Sequence, residues 1–276
     1  MAMRSAPTLG LVAIGVCAGC ALPEASFLAL TYNVAGLPEG LSGSSPERNT
    51  PLISPLLEPF ELVLVQEDFT YHDALVSRVT HPHRSTPKVP ETKLTGDGLN
   101  VLSRAPFSAL EREAWAVCNG GLDSGSDCLA EKGFLVATFT FADSIPVDIY
   151  DLHCDAGGDA IDIETRSKQI DQLLAAIERR SKGQAVIVAG DTNLRLRRPD
   201  DVTTLERLKA GAQLSDACLA VGCGDEDHID RFLFRSSDEV VIQVESWSVA
   251  EQFVDEAAQA LSDHPAISVR FRAAAR

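Results

Sequence analysis

The strongest constraint on the fold is a series of short, almost wholly apolar runs of strand length. They are rich in β-branched residues and are bounded by residues that favour turns, which is typical of β-strands. Runs this apolar indicate strands that other layers of protein cover on both faces. The runs are Phe27–Thr31, Leu62–Val65, Leu99–Leu102, Phe134–Phe141, Val147–Leu152, Ala185–Ala189, Phe232–Phe234, Val240–Val244 and Ile267–Phe271.

Helical patterns lie between these strands. The clearest covers Glu164 to Lys182, where apolar residues recur at helical spacing and Gly183 follows as a stop. Pro51–Phe60 and Asp201–Ala210 are also predicted to be helices. Strands covered by helices predict an α/β (α+β) fold, a four-layer α/β/β/α sandwich of two mainly antiparallel sheets flanked by helices. No linker-like segment or internal repeat divides the chain, so we expect a single catalytic domain over residues 25–273.

The overall charge narrows the function. The formal net charge is -16, from 40 acidic residues against 24 lysines and arginines. Such a chain repels a polyanion at long range, which argues against a protein that coats nucleic acid. The same charge is compatible with a small zwitterionic substrate, and it favours divalent cations.

The first 20 residues have the pattern of a signal peptide. A positive charge at Arg4 precedes the apolar run Leu9–Val16, which is too short to span a bilayer, and small residues then lead to Cys20. The segment before Cys20 resembles a bacterial lipoprotein box, in which the cysteine is lipidated and tethers the protein to a membrane. Ordinary cleavage nearby is an equal alternative. Both predict an exported protein, either secreted, periplasmic or an outer-membrane lipoprotein.

Cysteine usage agrees with export, because disulfides persist in oxidising compartments. Cys118 and Cys128 bracket one polar loop, and Cys218 and Cys223 bracket a short segment. We predict a local disulfide in each pair, with zinc binding as the weaker alternative because no histidine lies at ligand spacing. Cys154 is left over within an apolar run, and we expect it to be a buried, small apolar residue rather than a nucleophile.

Polar residues interrupt the apolar runs at positions that can meet on one rim of the sandwich. Some follow a strand and others precede one, and the end of one strand lies beside the start of its antiparallel neighbour. Each residue alone could serve only a turn, but the combination of residue types indicates an active site. The residues are Asn33, Gln66, Glu67, His153, Asp191, Asn193, Asp230, Asp263 and His264.

The oxygen-bearing residues of this set suit a magnesium site. Glu67, with Asn33 and Asp263 nearby, supplies hard oxygen ligands. Mg²⁺ typically takes one or two carboxylates, several waters and a substrate phosphate oxygen, and it stabilises the charge of a phosphate in the transition state. Mn²⁺ and Ca²⁺ are alternatives. Zinc is disfavoured, because it prefers clustered histidines or cysteines.

The remaining residues suit hydrolysis by water. Asp191 can accept a proton from the attacking water, and Asn193 can donate to a phosphate oxygen. His153 and His264 carry imidazoles that titrate near neutrality, which suits proton transfer or stabilisation of the phosphate.

The segments that carry these residues resemble the endonuclease/exonuclease/phosphatase superfamily, which has the deoxyribonuclease I-like fold. The resemblance implies hydrolysis of a phosphoester by in-line attack of water, with a divalent metal and without a covalent intermediate. It implies metal ligands at Glu67, Asn33 and Asp263, and catalytic roles for His153, Asp191, Asn193, Asp230 and His264. The matching segments, in chain order, are LTYNVAG, LVLVQED, DGLNVLSR, LHCDAG, VAGDTN, HIDRF and SDHPA.

Within the superfamily, LTYNVAGLP and DCLAEKGF are most similar to the sphingomyelinase-like phosphodiesterases, which cleave phosphocholine from a sphingolipid. The resemblance implies that Lys132, in the second segment, is a substrate-binding cation. The alternative for Lys132 is a solvated lysine at the start of a strand. We therefore expect a phospholipid or small phosphodiester as substrate, and a monomeric enzyme.

Two other functions stay open. An exported deoxyribonuclease I-like endonuclease would use the same site residues, and Arg195, Arg197 and Arg198 could bind phosphates along a nucleic-acid strand. The acidic net charge disfavours this function. A non-catalytic binding module on the same fold would be expected to have lost some site residues, whereas the set in this chain is complete.

Overall fold

The computed structural model describes residues 22–91, 93–120, 127–224 and 227–276. The predicted signal peptide, residues 1–20 with Cys20, lies outside the described residues. The described chain forms two six-stranded sheets. The strands are β1 (Glu24–Asn33), β2 (Leu62–Gln66), β3 (His83–Arg84), β4 (Asn100–Ser103), β5 (Phe107–Ala114), β6 (Gly133–Phe141), β7 (Ile145–His153), β8 (Val186–Asp191), β9 (Ser215–Asp216), β10 (Asp230–Arg235), β11 (Val240–Val249) and β12 (Ile267–Ala275). The helices are α1 (Pro46–Leu56), α2 (His72–Leu75), α3 (Ala160–Arg180), α4 (Pro199–Ala212) and α5 (Ala217–Val221).

The two sheets have related strand orders. The first is β11-β12-β1-β2-β4-β3, and the second is β5-β6-β7-β8-β10-β9. Each sheet contains one parallel pair, β1 with β2 and β7 with β8, while its other neighbours are antiparallel. The two strands of a parallel pair end at the same edge of their sheet. The carboxyl ends of β1 and β2 therefore lie side by side, and so do those of β7 and β8.

Three apolar cores hold the layers together. The first lies between the sheets and includes Leu64 and Ile149. The second packs α3 and α4 against the outer face of the second sheet, through residues such as Leu173 and Leu208. The third packs α1 against the outer face of the first sheet, through Ile53. Each such side chain, fully buried, contributes about 1.5–3 kcal/mol. The predicted four-layer α/β/β/α sandwich is confirmed.

Helix α3 fixes the chain that leaves β7. Its cap residue Asp159 accepts hydrogen bonds from the backbone N–H groups of Ile161 and Asp162, and the Asp162 carboxylate accepts from the Asp159 N–H at 3.0 Å. This reciprocal capping box satisfies backbone donors that the first helical turn leaves without partners. The helix buries Ile170 and Ile177 against the second sheet. The loop between β7 and α3 is therefore held at both ends.

The nine predicted strands and three predicted helices are all present, with differences at their ends. Helix α1 starts earlier than residue 51 because Pro46 favours the first helical turn, and it continues through Pro51 and Pro55. Strand β5 is absent from the sequence prediction. Its sequence FSALEREA is mostly polar and half-exposed because the strand lies at the edge of its sheet.

The predicted cysteine chemistry is confirmed. Cys118 pairs with Cys128 and Cys218 with Cys223, while Cys154 is free and buried. In the described part of the chain, no helix combines the length and the apolar character needed to cross a membrane.

Candidate active site

The register of the strands brings the polar strand ends together. Asn33, at the end of β1, lies beside Gln66 at the end of β2. His153 and Asp191 occupy the same position in the parallel pair β7 and β8, and Asp230, the first residue of β10, lies opposite Asp191. The two sheets meet at this rim, because Asn33 Nδ2 donates to Asp191 Oδ2 at 3.3 Å.

Glu67 is held at the first sheet's side of the site. Its Oε1 accepts a hydrogen bond from Asn33 Nδ2 at 3.1 Å, and Asn33 Oδ1 in turn accepts from the Ala35 N–H at 3.0 Å. Glu67 has a φ of 59°, a left-handed conformation that costs free energy in a residue other than glycine. Burial, and to a smaller extent the Asp191 carboxylate, raise the pKa of Glu67, although Lys132 opposes the shift.

His153 is a buried, neutral imidazole. Its Nε2 lies 3.0 Å from Lys132 Nζ, 3.4 Å from Asp191 Oδ2 and 3.8 Å from Glu67 Oε1. Burial holds its pKa well below the usual value, and the positive charges of Lys132 and His264 add to this effect. The backbone is fixed as well, because the indole N–H of Trp115 donates to the His153 carbonyl at 2.7 Å.

His264 is the opposite case, an imidazolium. Its Nδ1 donates to Asp230 Oδ2 at 2.9 Å, and its Nε2 lies 3.8 Å from Asp191 Oδ2. Burial lowers the pKa of His264, but the hydrogen bond to Asp230 and the charges of Asp230, Asp191 and Asp263 outweigh it and raise the pKa to about 10. The site therefore places a neutral and a charged imidazole on two sides of Asp191.

Asp191 lies between the two imidazoles. Its Oδ1 accepts from the Asn193 N–H at 2.9 Å, and Asn193 Nδ2 donates to the Cys154 carbonyl at 3.1 Å. Burial and the neighbouring Asp230 carboxylate raise the pKa of Asp191 to about 6. Burial also raises the pKa of Asp230, although the hydrogen bond from His264 opposes the shift.

Lys132 belongs to this site, so the alternative of a solvated lysine is wrong. The side chain is only 9% exposed, and it forms a buried ion pair with Asp127 in addition to its contact with His153. Burial opposes the charge on Lys132, but the Asp127 and Glu67 carboxylates raise its pKa above the usual value. The sequence prediction missed Asp127. The available signal is its position five residues before Lys132 in DCLAEKG.

Seven of the nine polar strand-end residues, together with Lys132, contact one another directly or through one intermediate. Gln66 is turned away from them, since its amide donates to Asp151 Oδ1 at 2.6 Å and to Thr31 Oγ1 at 3.0 Å, and Asp263 lies at the edge of the group. Asp263 is exposed, and a Cβ placed on Gly43 would lie 3.0 Å from its Oδ2. Its neighbour Ser262 joins the site to β1, because Ser262 Oγ donates to the Asn33 carbonyl at 2.7 Å and accepts from the His264 N–H at 3.2 Å.

The donor set fits a hard divalent cation. Three carboxylates, Glu67, Asp191 and Asp230, have raised pKa values because burial leaves their negative charges poorly solvated. Asp230 Oδ1 is buried and has no hydrogen-bond partner among the described residues. One ligand atom each from Asp191, Asp230 and His264 lie within 4.8 Å of one another, and because His264 is an imidazolium, only the two carboxylates of this group could bind a cation. Oxygen donors in this arrangement are those that Mg²⁺, Mn²⁺ and Ca²⁺ prefer.

A pocket of about 320 Å³ opens beside His264. Its lining consists of Arg195, Asp227, His228, Ile229, Asp230, Asp263, His264 and Pro265. A phosphoester bound in this pocket would contact the imidazolium side of the site.

Comparison with protein families gives one match that covers most of the chain. The model of the Endonuclease/Exonuclease/phosphatase family matches residues 30–264. The chain belongs to this family. The matched span runs from β1 to His264, so it contains the strand ends described above.

Among curated relatives, the sphingomyelinase of Mycobacterium tuberculosis (strain H37Rv) is 32% identical over 268 residues, an alignment that covers 89% of this chain and 52% of the relative. The chain therefore spans about half the length of the curated relatives it matches. At 32% identity, the chain is similar to this sphingomyelinase over most of its own length.

Solved structures share the fold. Staphylococcus aureus beta toxin (F277A, P278A mutant) with bound magnesium ions has a TM-score of 0.64 and 15% identity, and the alignment covers 89% of this chain and 99% of the toxin. Danio rerio TDP2 in complex with a single-strand DNA product has a TM-score of 0.66 and 19% identity, covering 89% of this chain and 98% of TDP2. At these identities the likeness establishes the fold alone, and the fold is compatible with more than one phosphoesterase substrate.

Proposed function

We propose that this protein is an exported, divalent-metal-dependent phosphodiesterase that cleaves a sphingomyelin-type lipid by in-line attack of water. The observation that carries the proposal is the Asp191 carboxylate between a neutral His153 and a charged His264. Groups whose environments push their pKa values apart are typical of acid–base catalysis. The sphingomyelinase relative, 32% identical, supports the choice of lipid.

Glu67 is the residue that we propose as the main metal ligand. Asn33 orients its carboxylate through the 3.1 Å hydrogen bond, and the exposed Asp263 carboxylate would be a further ligand at the rim. Mg²⁺ is the expected ion, and its bound form supplies a Lewis acid for the phosphate and stabilises negative charge in the transition state. The structural relative with bound magnesium supports this choice.

Asp191 and Asn193 act on the attacking water. With a pKa of about 6, Asp191 is ionised at neutral pH and still basic enough to accept a proton, which is the range that suits a general base. The backbone N–H of Asn193 fixes the Asp191 carboxylate at 2.9 Å. The second amide N–H of Asn193, beyond the one that bonds Cys154, donates to a phosphate oxygen.

His264 and Lys132 act on the other side of the phosphate. The His264 imidazolium, oriented by Asp230, donates its Nε2 proton to a phosphate oxygen or to the leaving oxygen. Burial, with a smaller contribution from Lys132, keeps His153 neutral, and Lys132 faces the substrate phosphate as a fixed positive charge. Charges fixed in a buried site before the reaction stabilise the transition state more than mobile solvent can.

Export is part of the proposal and rests on two observations. The described chain carries two local disulfides, which persist in an oxidising compartment. The first 20 residues have a signal-peptide sequence pattern. We keep both alternatives for the N-terminus, ordinary cleavage and lipidation of Cys20, and we expect the exported protein to be a monomer.

An endonuclease is the second candidate, favoured by the likeness to TDP2 in complex with DNA. The net charge of -16 argues against it, because long-range repulsion from a polyanion must be overcome before binding. A binding module without catalysis is disfavoured by the contacts among the eight clustered site residues.

The test is the metal dependence of hydrolysis. Wild-type protein and Glu67→Gln are assayed with a nitrophenyl-phosphorylcholine ester over a range of Mg²⁺ concentrations, with Glu61→Gln as a control outside the site. We expect EDTA to abolish turnover and Glu67→Gln to need at least about ten times more Mg²⁺. Turnover that is unaffected by EDTA would contradict the metal-dependent mechanism.

A further inference from the structure

The pocket beside His264 has a charge pattern that the catalytic groups do not explain. Its lining holds three carboxylates, Asp227, Asp230 and Asp263, together with the cations His264 and Arg195. Its volume of about 320 Å³ is at the low end for ligand pockets. A pocket of this size is large enough for a phosphate group.

The three arginines that follow β8 differ in their partners. Arg197 Nε lies 3.8 Å from Asp227 Oδ2. Arg198 Nη1 donates to the Gly157 carbonyl at 2.9 Å and lies 3.6 Å from Asp201 Oδ2. The half-buried Arg195 uses its backbone N–H for Asp201 at 3.2 Å, but its guanidinium has no hydrogen bond or ion pair with the described residues. Arg195 therefore keeps its charge and all its side-chain donors available for a ligand.

The other cations of the site each have a protein carboxylate as a partner. Lys132 pairs with Asp127 and contacts His153, and His264 pairs with Asp230. A phosphodiester anion that approaches the buried carboxylates is repelled at short range, where the interaction between charges is strongest. Arg195 supplies a positive charge on the approach to the site without breaking an existing ion pair.

We infer that Arg195 is the anion-binding residue of a phosphate subsite in this pocket, and this inference rests on the proposed function of the same site. The guanidinium binds a non-bridging oxygen of the substrate phosphodiester and holds the phosphate against His264. Its planar fork of donors matches two phosphate oxygens at once, which an ammonium group cannot reproduce. Because Arg197 and Arg198 are committed to protein partners, the segment binds one phosphate rather than a row of them.

The expected effect is on binding. A charge-assisted hydrogen bond that forms in the Michaelis complex and persists in the transition state changes KM more than kcat. We expect Arg195→Gln to raise KM for a phosphorylcholine ester by roughly 10- to 100-fold and to raise the inhibition constant of inorganic phosphate by a similar factor. Arg195→Lys keeps the positive charge but loses the planar fork of donors. We therefore expect its KM and inhibition constant to lie between those of wild type and Arg195→Gln.

The experiment compares full-length wild type, Arg195→Gln and Arg195→Lys in Mg²⁺, with Arg197→Gln as the matched control. Arg197 lies two residues away, carries the same charge and has a side chain that is 68% exposed. Steady-state kinetics with a nitrophenyl-phosphorylcholine ester give kcat and KM, and inhibition by inorganic phosphate gives an inhibition constant. A melting curve for each variant checks that the fold is retained. We expect Arg197→Gln to match wild type.

Equal constants for wild type and Arg195→Gln would overturn the inference, and so would an equal loss in Arg197→Gln, which would indicate a general charge effect. A wild type that hydrolyses no phosphodiester would refute the proposed function instead. In that case, calorimetric titration with inorganic phosphate decides the inference separately. Phosphate binding that Arg195→Gln loses would support the subsite, and absence of phosphate binding by wild type would overturn it.

Discussion

Replacement of Arg166 by methionine should destabilise the protein strongly, because this fully buried arginine joins the loop that leaves β7 to the first turn of α4. Its Nη2 lies 3.1 Å from Asp201 Oδ1. Its Nη1 donates to three consecutive carbonyls, of Asp155 at 3.1 Å, Ala156 at 3.0 Å and Gly157 at 3.3 Å. Methionine retains much of the side-chain length but none of these donors.

The size of the expected loss in the free energy of unfolding follows from the Asp201 carboxylate, which loses its main partner. Removing one member of a buried ion pair costs about 3–5 kcal/mol, because the other charge is left without compensation. Asp201 keeps the Arg195 backbone N–H at 3.2 Å and Arg198 Nη1 at 3.6 Å, so we place Arg166→Met near the lower end, at about 3 kcal/mol. For a chain of this size, that lowers Tm by about 6–12 °C.

Urea unfolding of the oxidised protein at pH 7 measures this loss, through the midpoint and slope of the transition. Arg207→Met is the matched control. Arg207 also joins α4 to α3, lying 3.3 Å from Asp171 Oδ1, but it is 40% exposed and should cost no more than about 1 kcal/mol. A loss below about 1 kcal/mol for Arg166→Met, or equal losses for both variants, would refute the reasoning. Adding Asp201→Asn to Arg166→Met should recover part of the stability, since the uncompensated carboxylate is then removed.

Three further outcomes concern the site. Asp191→Asn should lower kcat by roughly 100-fold or more, measured beside an unchanged circular dichroism spectrum, and a near-normal kcat would exclude Asp191 as the base. As pH falls through about 6, Asp191 takes up a proton and kcat/KM should fall; above about 10, His264 loses its proton and kcat/KM should fall again. A pH–rate profile without these two limbs would contradict the assignment. Lys132→Met should raise the pKa of His153, visible in the imidazole NMR titration, because one positive neighbour that lowers it is gone, while burial still holds it below the usual value.

The fold could be predicted from the sequence because each strand is marked by a local run of apolar residues. Each of the nine apolar runs has the length and composition of a covered strand, and the nine strands are present. Strand β5 lacks that signal, since at a sheet edge its side chains such as Glu111 and Glu113 can stay in solvent. The ends of α1 were less predictable, because two prolines interrupt its pattern while tertiary packing of Ile53 preserves the helix.

The site residues were accessible for a different reason. A strand that is covered on both faces can expose polar side chains only at its ends, at the rim of the sandwich. Asn33, His153 and Asp191 could therefore be grouped before their distances were known. Partners that depend on the path of a loop could not be predicted in the same way. The burial of Lys132 depends on Asp127, which a short 3-10 helix (Asp127–Leu129) positions beside the Cys118–Cys128 disulfide.

The arginine segment after β8 illustrates the same limit. Its sequence suggests three equivalent cations, suited to a nucleic-acid strand. In the structure, Asp227 pairs with Arg197, Asp201 pairs with Arg198 three residues before it, and only Arg195 among these three opens onto the pocket with a free guanidinium. The pairing of Arg197 with Asp227 depends on how loops pack in three dimensions, which residue spacing does not encode.

The chemistry of the site is tested most directly by assaying the purified protein on sphingomyelin and on double-stranded DNA in parallel. Each substrate is tested with Mg²⁺ and with EDTA. Asp191→Asn serves as the inactive control, so that any contaminating activity is identified. We expect the wild type to release phosphocholine only when Mg²⁺ is present and to leave DNA intact. We expect Asp191→Asn to lose this release. Cleavage of DNA alone would contradict the proposed substrate, and phosphocholine release that persists in EDTA or in Asp191→Asn would contradict the mechanism.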